Sequence, residues 1–167
     1  GLEAELTVGD IFNLVPAERA DLVISCGLIE HFVDPIEALK SHVKFVRPGG
    51  LVAVTVPNLS HPVVVKCLKR YRPNDLLIHN LNIMSEQALR HAFNAVGFQD
   101  IQSGSALGPL LPAPARSGRA SKIYTLASIG WNTCSALLPS SFLWPGLFWA
   151  CGRVPSETNE VETLPVL

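Results

Sequence analysis

Residues Asp21–Asn58, DLVISCGLIEHFVDPIEALKSHVKFVRPGGLVAVTVPN, decide how this chain folds. Ala20–Ser25 is a short β-rich run after the charged pair Glu18-Arg19, and it ends at Cys26-Gly27, where the chain can turn. Asp34-Pro35-Ile36-Glu37 predicts a helix start, with Asp34 as the cap, Pro35 in the first helical position and Glu37 three residues after the cap. Ile36, Leu39, Val43 and Val46 recur at three- and four-residue spacing and predict one buried helix face. Arg47-Pro48-Gly49-Gly50 stops that helix. Leu51–Val56 follows as an apolar, β-branched run of the kind buried on both faces of a parallel sheet. Strand, helix and strand within about forty residues make a βαβ unit.

Outward from this unit, Ala4–Val8 alternates apolar and polar residues before Asp10 and predicts a short strand. Downstream, a helix is expected from Pro62, carrying Val63, Val64, Cys67 and Leu68. A further helix is capped by Ser85, presents Leu89, Phe93 and Val96, and stops at Gly97. Phe98–Ser103 reads as another strand, and Leu147–Val154 as a last one. From Ala106 the composition shifts to Pro, Gly, Ser and Ala, as in an insertion, and Ile123–Gly152 holds no charged residue. Pro155–Leu167 is a polar, acidic tail. The expected organisation is therefore a core over 1–105, an apolar cap or insertion over 106–146, a strand over 147–154 and a tail over 155–167.

With 167 residues, 48% of them hydrophobic, the chain can bury a sizeable core. Thirteen Lys and Arg against 14 Asp and Glu give a net charge of −1, so no basic excess exists to neutralise phosphates, and no nucleic-acid partner is expected. Cys26, Cys67, Cys134 and Cys151 are widely spaced, which signals neither a zinc finger nor a disulfide scaffold and favours a reducing, cytoplasmic setting. The N-terminal GLEAELTVGD has no initiator Met, basic n-region or apolar h-region, so it reads as a fragment end rather than a signal peptide.

Asp21-Leu22-Val23, Glu30-His31, Asp34-Pro35, Pro48-Gly49-Gly50 and Pro57-Asn58, in this order and spacing, resemble the central segment of class I S-adenosylmethionine-dependent methyltransferases. His79–Phe98 is similar to that family's helix before its sixth strand, and the likeness spans about Ala4 to Ser103. The resemblance implies an α/β, Rossmann-like methyltransferase sheet and transfer of a methyl group from S-adenosylmethionine to a small-molecule acceptor. It implies that Asp10 and Ile11, after the third strand, meet the adenine. It likewise implies that Ser25, Cys26, Gly27 and Glu30, after the fourth, line the methionine end. A turn-initiating Asp is the plain alternative for Asp10, and a simple turn the alternative for Gly27.

His31 and His79 are the candidate catalytic bases, since an imidazole can take a proton from a hydroxyl or amine. "EH" is widespread among members of the family with different substrates, which argues for a shared structural or cofactor-side role of Glu30 and His31 rather than a specific base. Some ubiquinone-pathway O-methyltransferases place a further Glu three residues before "EH" and bind a divalent metal there. That position is Gly27 here, so no metal is expected. Asn58 and His61, near the carboxyl edge of the second strand of the βαβ unit, read as substrate-side or solvated polar residues. Cys26 reads as a buried, inert thiol.

The family's glycine-rich cofactor turn, and the acidic residue after its second strand, have no match in these 167 residues. In the family order 3-2-1-4-5-7-6 this implies a truncated sheet lacking its first two strands, with Ala4–Val8 left without a neighbour and Ala20–Ser25 at an open edge. The alternative is a non-catalytic remnant or interaction module of the same fold. The uncharged Ile123–Gly152, with Trp131, Trp144 and Trp149, reads as a substrate cap, a peripheral membrane contact or a span, for which it is long enough but interrupted by Pro139, Pro145 and Asn132. Without the glycine-rich turn, the 167-residue chain is expected to bind S-adenosylmethionine weakly or not at all. A calorimetric titration giving micromolar affinity would contradict this.

Overall fold

The structure, a computed structural model, describes residues 4–106, 129–130 and 145–156. Four strands form one sheet: β1 (Ala20–Cys26), β2 (Val46–Pro57), β3 (Gln99–Ala106) and β4 (Leu147–Arg153), in the order β1-β2-β4-β3. β1 runs parallel to β2, whereas β4 runs antiparallel to both β2 and β3. This is the arrangement that remains of the family order once its first three positions are set aside. Among the described residues the helices with defined bounds are α1 (Pro35–Ser41), α2 (Pro62–Tyr71), α3 (Asp75–Ile78) and α4 (Glu86–Val96).

Local chemistry explains the helix ends. The Asp34 carboxylate accepts hydrogen bonds from the backbone N–H groups of Ile36 and Glu37 at 2.9 and 3.1 Å, with Pro35 opening α1. Ser85 caps α4 by accepting from Ala88 N–H at 3.1 Å. Gly97, at φ +93°, ends α4 in the left-handed conformation.

The expected long helix face from Ile36 to Val46 is shorter in the structure. After Ser41 the chain tightens into a 3-10 turn over His42–Phe45, and Val46 already belongs to β2. Ser41 Oγ and His42 Nδ1 both donate to the Ala38 carbonyl, at 2.7 and 2.8 Å, so polar side chains compete for the last-turn acceptor. Pro48-Gly49-Gly50 is a bulge within β2 rather than a helix stop, because the register passes from Ala20 opposite Val46 to Leu22 opposite Leu51. A Cβ on Gly50 would lie 2.9 Å from the Asp21 carbonyl oxygen, which requires glycine there. Gly49 N–H donates to Val154 O and Val154 N–H to Gly50 O, tying this bulge to the end of β4.

Val52, Val54 and Val56 of β2 are wholly buried and join Leu39, Leu89, Phe93 and Ala150 in one core, while the alternate residues of β2 are only half-buried. The expectation of burial on both faces thus holds for one face. β2 sits centrally, but one neighbour, β1, is an edge strand with Leu22 and Ile24 exposed. Ala4–Val8 forms no strand: Leu6 and Val8 are more than 90% exposed, and no ladder among the described residues offers them partners. Most of the expected cap lies outside the described residues, and the end of the uncharged stretch is β4 itself. Trp149 there packs over Gly104. Among the described residues no helix is long and apolar enough to cross a membrane.

Tight packing of β4 on α4 yields a direct test. A Cβ on Gly152 would lie 2.8 Å from Phe98 Cβ and 3.0 Å from the Phe93 ring. Gly152→Ala is expected to destabilise the fold by about 1–3 kcal/mol, read as a lower urea midpoint with an unchanged slope.

Candidate functional site

β1 ends beside β2 with Cys26 opposite Thr55, and Gly27 N–H donates to Thr55 O at 2.9 Å. Gly27 itself turns the chain at φ +62°. Beyond this carboxyl edge opens a cleft of about 560 Å³, lined among others by Asp10, Ile11, Ser25, Cys26, Gly27 and Phe32. Five of the six cofactor residues expected from sequence thus meet at one cleft in the size range of a ligand pocket. His42 and Phe45, which follow α1, also line it, although no sequence signal placed them there.

Asp10 spends its carboxylate locally. One oxygen accepts from Phe12 N–H at 3.0 Å and the other from Asn13 Nδ2 at 2.9 Å, so Asp10 builds the turn that carries Ile11. Ser25 Oγ is buried and without a protein partner, the orphaned polar atom that a ligand at this cleft would satisfy. Cys26 is exposed at the sheet edge, which corrects the expectation of a buried thiol: among the described residues β1 has no strand on its outer side.

Glu30 follows in a 3-10 turn over Ile29–His31 and is 1% exposed. Burial raises its carboxyl above the usual carboxylate range, opposed by its backbone hydrogen bond and by the nearby His31 and His79. Its Oε2 has no hydrogen-bond partner. The His31 and His79 ring centroids lie 4.3 Å apart with the planes tilted by 46°, although the residues lie far apart in sequence. Asn80 N–H donates to Glu30 O at 2.6 Å and Asn80 Nδ2 to Val33 O at 3.2 Å, locking the two segments together. A second cleft of about 460 Å³ borders both histidines, and Phe32 lines it as well as the first. The two expected catalytic residues therefore sit together, one aromatic ring away from the cofactor-side cleft.

Asn58 and His61 serve the backbone. Asn58 N–H donates to Gly146 O and its Nδ2 to Pro145 O, pinning the entry to β4, while His61 caps α2 by accepting from Val63 N–H.

The profile of the methyltransferase-domain family matches residues 4–103. The chain belongs to this family. Among solved structures, a SAM-dependent methyltransferase from Thermotoga maritima superposes with a TM-score of 0.55 at 14% identity, covering 87% of this chain and 61% of that one. Phosphoethanolamine N-methyltransferase 2 of Haemonchus contortus, bound to phosphomonomethylethanolamine and S-adenosylhomocysteine, gives 0.52 at 16% identity, covering 82% and 34%. The plantazolicin methyltransferase BpumL, in complex with S-adenosylhomocysteine, gives 0.50 at 12%, covering 88% and 56%. The methyltransferase-domain chain thus spans between about a third and three fifths of the length of these structures. No curated protein matches it.

Within this methyltransferase fold, His42 lies under the cofactor-side cleft and is 2% exposed. Burial holds its imidazole below the ordinary value of 6.5, against the opposing hydrogen bonds to the Ala38 and Leu39 backbone. As pH falls through that ordinary value, the unfolded chain takes up a proton that the folded chain resists. The stabilising contribution is therefore full above it and is lost on acidification. Denaturant midpoints taken from about pH 7 down to about pH 5 are expected to fall less steeply in His42→Gln than in the natural chain. Equal slopes would remove His42 from the acid response.

Proposed function

We propose that this chain forms the cofactor rim and the acceptor side of an S-adenosylmethionine-dependent methyltransferase that acts on a small-molecule acceptor in a reducing, cytoplasmic compartment. The observation that carries the proposal is the cleft at the end of β1, where Asp10, Ile11, Ser25, Cys26 and Gly27 converge. Family membership and the S-adenosylhomocysteine of two structural neighbours support the choice of cofactor. The residues fit it in part. Ser25 Oγ lacks a partner, and Gly27 leaves the backbone open to close approach. When bound, S-adenosylmethionine supplies an electrophilic methyl group.

The chain's own contribution is alignment. A rigid edge formed by β1 and the turn at Gly27 orients the donor side, and the histidine cleft beyond Phe32 orients the acceptor. His31 Nδ1 donates to Ile78 O at 3.1 Å and His79 Nδ1 to Asp75 O at 2.6 Å. In the neutral imidazole each Nε2 then carries a lone pair, so either ring can take a proton from a hydroxyl or amine.

The exposed edge of β1, with Leu22 and Ile24 uncovered, favours a second function, a non-catalytic module of this fold that pairs with another chain. Assays of the full-length gene product with methyl-labelled S-adenosylmethionine and panels of small acceptors separate the two. Transfer is expected, with kcat falling on the order of 10²-fold in His79→Ala while KM changes little. Absence of transfer to every acceptor class, together with recovery of a stable complex with another chain, would favour the module.

A further inference from the structure

Glu30, His31 and His79 each offer one ligand atom, and these three atoms lie within 4.8 Å of one another. The expectation of no metal considers only the position three residues before Glu30-His31, which is Gly27. In space a third candidate donor arrives from elsewhere: the ring of His79, immediately after α3, lies 4.3 Å from that of His31.

We infer that Glu30, His31 and His79 form a binding site for a divalent first-row transition ion of the zinc class. Three independent features support it. Two imidazoles and a carboxylate are a donor set that suits such ions and leaves a coordination position open. Each imidazole is oriented as metal-binding histidines are, with one ring N–H given to a backbone carbonyl and the other nitrogen left as the donor. The acceptors are carbonyls of α3, a four-residue helix whose C-terminal carbonyls lack helical partners. Finally, Glu30 Oε2 is wholly buried without a hydrogen bond, a costly state for a carboxylate that an ion would relieve.

Ligand atoms around a tetrahedral zinc ion stand about 3.3 Å apart. The three donors must therefore close up from their present spread, which side-chain rotation of the exposed His31 and half-buried His79 permits. The exposed side of His31 leaves room for an oxygen ligand in the remaining position. Ion and proton are alternative occupants of the same ring nitrogens. Use of the ion to acidify an acceptor hydroxyl rests on the methyltransferase function proposed above; binding of the ion does not.

The test uses the full chain, stripped with chelator and then loaded with zinc or cobalt. About one zinc ion per chain is expected to survive dialysis, and the cobalt form is expected to show visible bands of a nitrogen- and oxygen-ligated ion without thiolate charge transfer. Retention should fall at least tenfold in His31→Ala, in His79→Ala and in Glu30→Gln, with circular dichroism unchanged. Failure of the natural chain to retain zinc, a thiolate band, or equal retention by folded variants would each overturn the site. All of these readouts are independent of methyl transfer, so an inactive protein that binds zinc here sinks the proposed activity and leaves the site standing.

Discussion

Parallel pairing of β1 with β2, from Leu22 opposite Leu51 to Cys26 opposite Thr55, is the constraint on which the rest depends. It brings the end of β1 level with the carboxyl half of β2 and fixes where Gly27 must turn, held by its bond to the Thr55 carbonyl. The bulge at Pro48-Gly49-Gly50 sets that register and anchors β4 through Val154. With β4 in place, Val52, Val54, Val56 and Ala150 present a continuous apolar face to α1 and α4, and complete burial of those side chains is worth about 1.5–3 kcal/mol for each larger one. The cleft is a consequence: ligand crevices of open α/β sheets lie beyond the carboxyl ends of their strands.

From that edge the chain builds two environments separated by Phe32. On one side, backbone, glycine and a lone serine hydroxyl make a surface suited to close contact with a ligand. On the other, a buried carboxylate and two imidazoles are concentrated. Glu30 links them, because a Cβ at Gly27 would lie 3.4 Å from its Oε1, while a carboxylate oxygen of Glu30 groups with a ring nitrogen of each histidine. Desolvation raises the Glu30 carboxyl above the usual carboxylate range, as happens where buried groups gather at a functional site.

Much of this was legible in the sequence, and the exceptions have physical causes. Asp34-Pro35 and Ser85 with Gly97 mark helix ends because caps act within a few residues. The strands β1 and β2 show as β-branched runs for the same local reason. The length of α1 was not legible, since Ser41 and His42 redirect the Ala38 carbonyl only once His42 is buried. Ala4–Val8 has a strand's alternation but no partner, and alternation alone makes no ladder. Likewise, the meeting of His79 with Glu30 and His31 depends on Asn80 bridging segments nearly fifty residues apart, which no local pattern records. Asp10 lines the cleft, yet its carboxylate is engaged by its own turn, which no spacing in the sequence records.

We propose that the end of β1 is the donor-side rim of a methyltransferase site. A crystal structure of the full-length gene product with S-adenosylhomocysteine tests it most directly. The homocysteine portion is expected against the main chain of Ser25, Cys26 and Gly27, with the adenine beside Asp10 and Ile11. Ligand density elsewhere on the sheet, with that cleft filled by protein, would contradict it.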